Sequence, residues 1–289
     1  MPAIHLAALI AVLSAPANDT PRFADINLST GVRLHYAEQG PAQGTPMILL
    51  HGYSDSWFSY SLVLSALARD RRVYALDLRG HGNSDRPASG YAMRDLADDV
   101  VAFMDAKAIA RATIVGHSMG GFVAQQVALA APQRVSALVL MGTGTAPRNF
   151  VGLDQFEKFV KDLSDPVPDA FARDFQMSTI QAPVSQAFID RAVAESLKLP
   201  ARVWREIMAG LMAYEPAVAL GRSRIPTLVV HGLKDPYISS AEADSLAAMV
   251  GTTRVVKYAN AGHAMHWEHP GVVARDVLAF LAETSRSTR

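Results

Sequence analysis

From about Ile26 onward, short apolar runs alternate along the chain with longer segments of helical character. Nearly continuous apolar runs lie at 46–50, 73–76, 112–115, 135–140 and 226–230, and a further β-like run lies at 254–258. Continuous apolar runs are typical of strands buried on both faces, whereas the alternating run at 32–36 predicts an edge strand. Helices are predicted at about 56–68, 93–107, 118–130, 241–249 and 272–283. Strand and helix in alternation predict an α/β fold with a mostly parallel central sheet flanked by helices.

The alternation stops between about Thr143 and Arg224. Phenylalanines, methionines and Trp204 occupy helix-like segments here, and prolines interrupt those segments. We interpret residues 143–224 as a helical cap, inserted into a core formed by 22–142 and 225–289 and lying over the C-terminal ends of the strands. Most of its apolar side chains should pack inside the insertion, and some should line a pocket, because ligand sites are largely apolar.

Composition narrows the classes of function. The chain has 289 residues, half of them hydrophobic, with a formal net charge of zero and no cysteine. This length suits one large domain, or one domain carrying an inserted subdomain. Without a stripe of lysines and arginines, nucleic acid is not an expected partner. The absence of cysteine excludes disulfides, thiolate metal sites and a cysteine nucleophile.

The N-terminus carries its own signal. An apolar run at 3–13 is followed by small residues at Ala15 and Ala17, a pattern typical of a signal peptide and its cleavage site. No lysine or arginine precedes the run, and it is too short for a stable membrane anchor. Residues 1–21 are therefore predicted to be a signal peptide or an N-terminal extension, which favours a secreted or periplasmic location over a cytoplasmic one.

The strongest chemical motif is Gly116-His117-Ser118-Met119-Gly120, which follows a buried apolar run and opens a helix. Gly-x-Ser-x-Gly in this context predicts a nucleophile elbow, a sharp strand-to-helix turn that holds the serine hydroxyl above the sheet. A serine hydroxyl is a weak nucleophile on its own and requires an adjacent base.

Three histidines near the C-terminus compete for the role of base. His263 is preferred over His266 and His269, because it comes first after a predicted strand and Gly262 gives its loop freedom. The spacing of the three histidines is a weak match to a zinc site, with no convincing carboxylate ligand beside them. His266 and His269 are expected to be surface or packing residues.

Asp235 is the predicted acid that orients His263. It follows the apolar run at 226–230, and the order Ser118, Asp235, His263 is the one expected for this kind of elbow. Asp77 precedes the nucleophile and is interpreted as a structural carboxylate, while Asp154 is not close to the end of the preceding strand.

Backbone N–H groups are expected to stabilise the oxyanion, from Met119 after the nucleophile and from Tyr53 after the first buried run. A simple turn is the alternative explanation for His51-Gly52. The residues predicted to contact substrate are Trp57, His117, Phe150, Trp204 and Met208.

Taken together, these motifs resemble the α/β-hydrolase superfamily, in its serine esterase, haloperoxidase and lactonase-like branch. The resemblance rests on the motifs at 51–53, 77–84, 116–121, 231–235 and 262–263, and covers nearly the whole chain. It implies the triad and oxyanion donors named above, a cap between the sixth strand and the following helix, and a structural role for the loop around Ser84. Haloalkane dehalogenases and epoxide hydrolases resemble the chain near 51–57 but place aspartate at the elbow, so Ser118 argues against both chemistries.

The expected function is hydrolysis of a carboxylic ester or lactone of a small to medium apolar substrate through an acyl-enzyme on Ser118, with no metal or organic cofactor. Carbon–carbon bond hydrolysis and acyl transfer, including transfer to peroxide, use the same constellation and stay open. A non-catalytic receptor for a small ligand is the alternative of another class, since fold alone does not establish catalysis. The oligomeric state is not readable from the sequence.

Overall fold

A computed structural model describes residues 20–251 and 253–287, so all but the last two residues of the predicted signal peptide or extension at 1–21 lie outside the described residues. Its eight strands are β1 (Arg22–Asn27), β2 (Arg33–Gln39), β3 (Thr45–Leu50), β4 (Arg71–Leu76), β5 (Ala112–His117), β6 (Val135–Met141), β7 (Thr227–Gly232) and β8 (Thr253–Tyr258). They form one sheet in the order β1-β2-β4-β3-β5-β6-β7-β8. β2 pairs antiparallel with β1 and β4, and all other pairs are parallel. The predicted α/β-hydrolase fold, with a mostly parallel sheet, is confirmed.

The helices are α1 (Ser61–Leu67), α2 (Met93–Ala106), α3 (Met119–Ala130), α4 (Leu153–Lys161), α5 (Asp169–Ser178), α6 (Gln186–Ser196), α7 (Ala201–Met212), α8 (Ser240–Val250), α9 (Met265–Glu268) and α10 (Pro270–Ser287). The segment predicted to be helical at 56–68 divides into a 3₁₀ turn, Trp57–Tyr60, followed by α1. Helices α4 to α7 all lie in the chain between β6 and β7. Within the described part of the chain, no helix is both long and apolar enough to span a membrane.

β3 illustrates why continuous apolar runs form the centre of this sheet. Met47 and Leu49 face one side and join a core cluster with α1 and α10, whereas Ile48 and Leu50 face the other side with α2 and α3. Side chains alternate between the two faces of a strand, so helices on both faces require apolar residues at every position.

β1 was not predicted from the sequence. Its residues alternate between exposed and half-buried positions, and it pairs only with β2 at the edge of the sheet. An edge strand with polar residues at alternate positions gives a weaker pattern than a strand buried on both faces.

Candidate active site

The elbow places Ser118 between β5 and α3 in a backbone conformation that L-residues rarely adopt, with φ 52° and ψ −118°. Two glycines make the turn sterically feasible. A methyl group on Gly116 would lie 2.2 Å from the carbonyl oxygen of Gly120, and one on Gly120 would lie 2.1 Å from that of Leu50. The N–H of Ser118 donates to the carbonyl of Met141 at the end of β6, at 2.9 Å. Strain of this kind persists only where the surroundings enforce it, and it is concentrated at functional sites.

Asp235 and His263 meet at the ends of β7 and β8. His263 Nδ1 lies 2.8 Å from Asp235 Oδ2, and both side chains are buried. Asp235 Oδ1 accepts the backbone N–H groups of Tyr237 and Ile238, at 2.8 Å and 3.1 Å. Burial acts to raise the pKa of Asp235, but the charge and hydrogen bond of His263 and these N–H donors outweigh it, so the pKa lies below its ordinary value. The carboxylate is ionised and orients the imidazole.

The loop that carries His263 is fastened to the segment after α5. The N–H of Ala264 donates to the carbonyl of Thr179 at 3.0 Å. Glu268 accepts from the N–H of Gly262 at 2.6 Å and also from the N–H groups of Gln181 and Ala182. The position of His263 therefore depends on the helical segment as well as on β8.

The loop after β3 adjoins Ser118. A methyl group on Gly52 would lie 3.4 Å from Cβ of Ser118. His51 holds this loop, because its Nδ1 donates to the carbonyl of Gly52 at 2.8 Å and its Nε2 accepts the N–H of Leu78 at 3.1 Å. Met119 is the first residue of α3, where backbone N–H groups have no acceptor within the helix. The predicted oxyanion donors, Tyr53 and Met119, thus belong to the two segments that flank Ser118.

Ser118 and His263 line an apolar pocket of about 40 Å³. Its other lining residues are Tyr53, Phe150, Leu153, Phe156, Phe175, Met208, Leu211 and Tyr237. A groove of about 380 Å³ lies outside it and shares Phe156, Phe175 and Tyr237 with it. Tyr237 contacts the His263 ring, with centroids 5.2 Å apart, and its hydroxyl bonds to that of Ser178 on α5.

The residues predicted to contact substrate divide into two groups. Phe150 and Met208 line the apolar pocket, and His117 lines a small polar cavity beside Ser118. Trp204 lines neither, because its ring is fully buried behind Tyr53, and its carbonyl accepts the Tyr53 hydroxyl at 2.7 Å. Trp57 also lies away from both cavities, with its ring against Phe23 of β1. The structure therefore corrects the placement of both tryptophans.

The residues considered as alternatives to Asp235 and His263 form hydrogen bonds elsewhere. Asp77 accepts the N–H groups of Trp57 and Asn83, at 2.7 Å and 2.8 Å, and the Ser84 hydroxyl donates to its carbonyl, so this loop is pinned by local hydrogen bonds. His266 bonds to Ser59, and His269 contacts the carbonyl of Asn260. Across residues 20–251 and 253–287, no three acidic, histidine or cysteine side chains converge in a way that would hold a metal ion.

The site also contains residues that the sequence did not single out. Asp55, Gln176 and Thr179 line the polar cavity, and Tyr237 lines the apolar pocket. Tyr237 lies two residues after Asp235, and this proximity in the sequence could have indicated that it lies at the site. Asp55 and Gln176 are 121 positions apart and meet only in the folded chain.

Comparison with known proteins agrees with this geometry. A family model described as alpha/beta hydrolase fold matches residues 45–270. The non-heme chloroperoxidase of Streptomyces lividans is 31% identical over 276 residues, covering 89% of this chain and 98% of that protein. The 2-hydroxymuconate semialdehyde hydrolase of Pseudomonas sp. (strain CF600) is 31% identical over 286 residues, covering 94% and 98%.

The fold also matches solved structures. An esterase from Rhodococcus sp. ECU1013 superimposes with a TM-score of 0.80 at 26% identity, covering 90% of this chain and 98% of that one. The extent of the family match, the two relatives of nearly full length and the order of the strands lead to one conclusion. The chain belongs to the α/β-hydrolase family and is a hydrolase of its esterase, haloperoxidase and lactonase branch.

Proposed function

We propose that this protein is a serine hydrolase that cleaves a carboxylic ester or lactone through an acyl-enzyme on Ser118. The observation that carries the proposal is the strained Ser118, which shares a pocket with His263 while Asp235 holds the other side of the His263 ring. A nucleophile, a base and an orienting acid in this arrangement are the elements of acyl transfer.

The reaction follows from these roles. Ser118 Oγ attacks the substrate carbonyl carbon while His263 Nε2 takes the serine proton, and the N–H groups of Tyr53 and Met119 stabilise the resulting oxyanion. His263 returns the proton to the departing alcohol, which leaves an acyl group on Ser118. Water then attacks this ester, His263 takes one of its protons, and collapse releases the acid and restores the Ser118 hydroxyl.

The cavity volumes indicate the shape of the substrate. About 40 Å³ beside Ser118 accommodates only a small group, whereas the outer groove offers about 380 Å³ with phenylalanine and tyrosine walls. We infer that a short acyl or alcohol group occupies the inner pocket and that a larger apolar or aromatic group lies in the groove. Tyr237 would then contact the substrate at the junction of the two.

Carbon–carbon bond hydrolysis is the second candidate, and the 31% identity to the semialdehyde hydrolase favours it. Neither the apolar pocket nor the polar cavity has a lysine or arginine among its described lining residues. A substrate carrying a carboxylate would therefore lack a cationic partner at this site. The lining favours a neutral ester over an anionic diketone.

The test is hydrolysis of p-nitrophenyl esters from acetate to decanoate by the wild type and by Ser118→Ala. We expect activity on the short acyl chains and a loss of at least about a thousandfold in the variant, because the nucleophile is gone. A fluorophosphonate probe should label the wild type at Ser118 and leave the variant unlabelled. Wild-type turnover no greater than that of the variant on every ester would contradict the esterase function. Failure to label would favour a non-catalytic receptor.

A further inference from the structure

A second cavity, lined in part by polar groups, lies beside Ser118 and adjoins the apolar pocket, with which it shares Tyr53, Phe175 and His263. Its volume is about 10 Å³, which is about the space that one water molecule requires. Asp55, His117 and Gln176 line it together with Ser118 and His263. Polar groups of Asp55, His117 and Gln176 share its wall with the rings of Phe175 and Trp267, and its size leaves room for a water molecule but not for a larger group.

His117 presents an unsatisfied acceptor at this cavity. Its Nε2 lies 3.1 Å from the carbonyl oxygen of His263, and because a carbonyl only accepts, Nε2 must carry the proton. Burial lowers the pKa of His117 well below its usual value, and the nearby His266 and His263 act in the same direction, so the ring is neutral. Nδ1 therefore bears a lone pair, and no described residue donates a hydrogen bond to this buried atom.

Asp55 supplies a buried carboxyl that the predicted triad does not use. Its Oδ1 accepts from Gln176 Nε2 at 3.0 Å, and its Oδ2 accepts from the hydroxyl of Ser59 at 3.1 Å. No lysine or arginine of the described chain pairs with it, and His263 acts on it as a positive charge only when the imidazole is protonated. Burial raises the pKa of Asp55 to about 6, so the group is an ionised acceptor in mildly alkaline solution. A buried carboxylate without a cationic partner is costly and is usually retained for a function.

The two acceptors converge on one side of Gly52, next to the nucleophile. A methyl group on Gly52 would lie 3.1 Å from Nδ1 of His117, 3.2 Å from Oδ2 of Asp55 and 3.4 Å from Cβ of Ser118. We propose that Asp55 is a positioning residue that, with His117, holds the water that hydrolyses the acyl-enzyme. The inference rests on the serine-esterase function proposed above.

The step needs no additional reactant. The water oxygen forms a bond to the acyl carbon while the proton that it had donated to His117 moves to His263 Nε2, and the other proton stays hydrogen-bonded to Asp55. Collapse of the tetrahedral adduct breaks the bond from the acyl carbon to Ser118 Oγ, and Oγ recovers the proton from His263. Asp55 accepts a hydrogen bond throughout and exchanges no proton.

The test compares Asp55→Asn with the wild type on p-nitrophenyl acetate at about pH 8, where Asp55 is ionised. In an acyl-enzyme mechanism kcat/KM reports acylation, whereas kcat also includes deacylation. We expect kcat and KM to fall together by about tenfold or more, with kcat/KM within about twofold of wild type. Intact-mass measurement during turnover should show a larger acetylated fraction in the variant. Asp70→Asn, an exposed carboxylate far from the site, should match the wild type.

Fluorophosphonate labelling controls for folding, because phosphonylation of Ser118 requires no hydrolytic water. Asp55→Asn should label at the wild-type rate. A fall in kcat/KM equal to that in kcat, without accumulation of acyl-enzyme, would mean that Asp55 acts through His263 or through the fold, and would overturn the inference. A wild-type protein that neither releases p-nitrophenolate nor labels would instead refute the serine-esterase function itself.

Discussion

Asp235 has two functions at the scale of a single residue. One oxygen accepts the N–H groups of Tyr237 and Ile238 and fixes the turn after β7, and the other orients His263. The same carboxylate thus shapes the loop that brings Tyr237 to the pocket and sets the proton position on the imidazole. Because Asp235 Oδ2 can only accept, Nδ1 carries the proton and Nε2 is free to act as base.

Asp235→Asn should therefore lower kcat by about 10³–10⁴-fold. An asparagine amide can donate to Nδ1, which places the imidazole proton on Nε2, where it blocks transfer from Ser118. The measurement is steady-state hydrolysis of a p-nitrophenyl ester, with circular dichroism to verify the fold. A decrease smaller than tenfold would show that another group orients His263.

At the scale of elements, α4 and α5 separate the inner pocket from the outer groove. Phe156 of α4 and Phe175 of α5 stack with centroids 4.9 Å apart, and both rings line both spaces. Access for a long acyl chain is therefore restricted by two rings rather than by the backbone.

Phe156→Ala should merge the pocket with the groove. We expect the ratio of kcat/KM for decanoate to that for acetate to rise about tenfold or more, since each methylene newly accommodated contributes about 0.8 kcal/mol of burial. The p-nitrophenyl series measures this ratio. Phe23→Ala, which removes an exposed ring on β1, is the matched control and should leave the ratio unchanged. An unaltered ratio in Phe156→Ala would mean that the chain takes another route.

The sequence predicted features that depend on neighbouring residues better than features that depend on contacts between distant parts of the chain. The central strands and the elbow were predicted because continuous apolar runs and Gly-x-Ser-x-Gly are local patterns. The placement of Trp204 could not be predicted, because whether an aromatic ring faces a pocket or lies behind another ring depends on packing between helices. Asp55 was missed for a similar reason, since its partner Gln176 lies on α5, far along the chain.

At the scale of the whole molecule, the described part of the chain buries five histidines whose pKa values burial lowers, namely His51, His81, His117, His231 and His266. Burial lowers the pKa of His51 to about 4 and that of His266 to about 3, and it lowers those of His81 and His117 well below the usual value. The hydrogen bonds of His51 show why its ring stays neutral. Nδ1 donates to a carbonyl and Nε2 accepts the N–H of Leu78, so a proton added to Nε2 would point at that N–H and break the hydrogen bond.

The free energy of unfolding should consequently fall as the pH drops below about 6.5. Below this pH these histidines bind protons in the unfolded chain but stay neutral in the folded chain. Each such histidine removes about 1.4 kcal/mol per pH unit until its own folded pKa is reached. Asp55 and Asp77, whose pKa values burial raises to about 6, act in the opposite direction. As they become protonated in the folded chain, they offset part of the loss in the free energy of unfolding. Urea unfolding between about pH 4 and pH 8 measures the net effect, and equal stability at about pH 7 and pH 5 would contradict the prediction.

The position of α4 to α7 between two adjacent strands has an evolutionary consequence. β6 and β7 are hydrogen-bonded neighbours, so the helical segment begins after one strand and ends before the strand next to it in the sheet. Ser118, Asp235 and His263 lie outside the segment between β6 and β7. Most of the apolar residues that line the pocket belong to this segment, namely Phe150, Leu153, Phe156, Phe175, Met208 and Leu211. Mutation, duplication or exchange within this one stretch of gene can therefore change which molecules the pocket accepts while the three residues of the proposed triad are inherited unchanged.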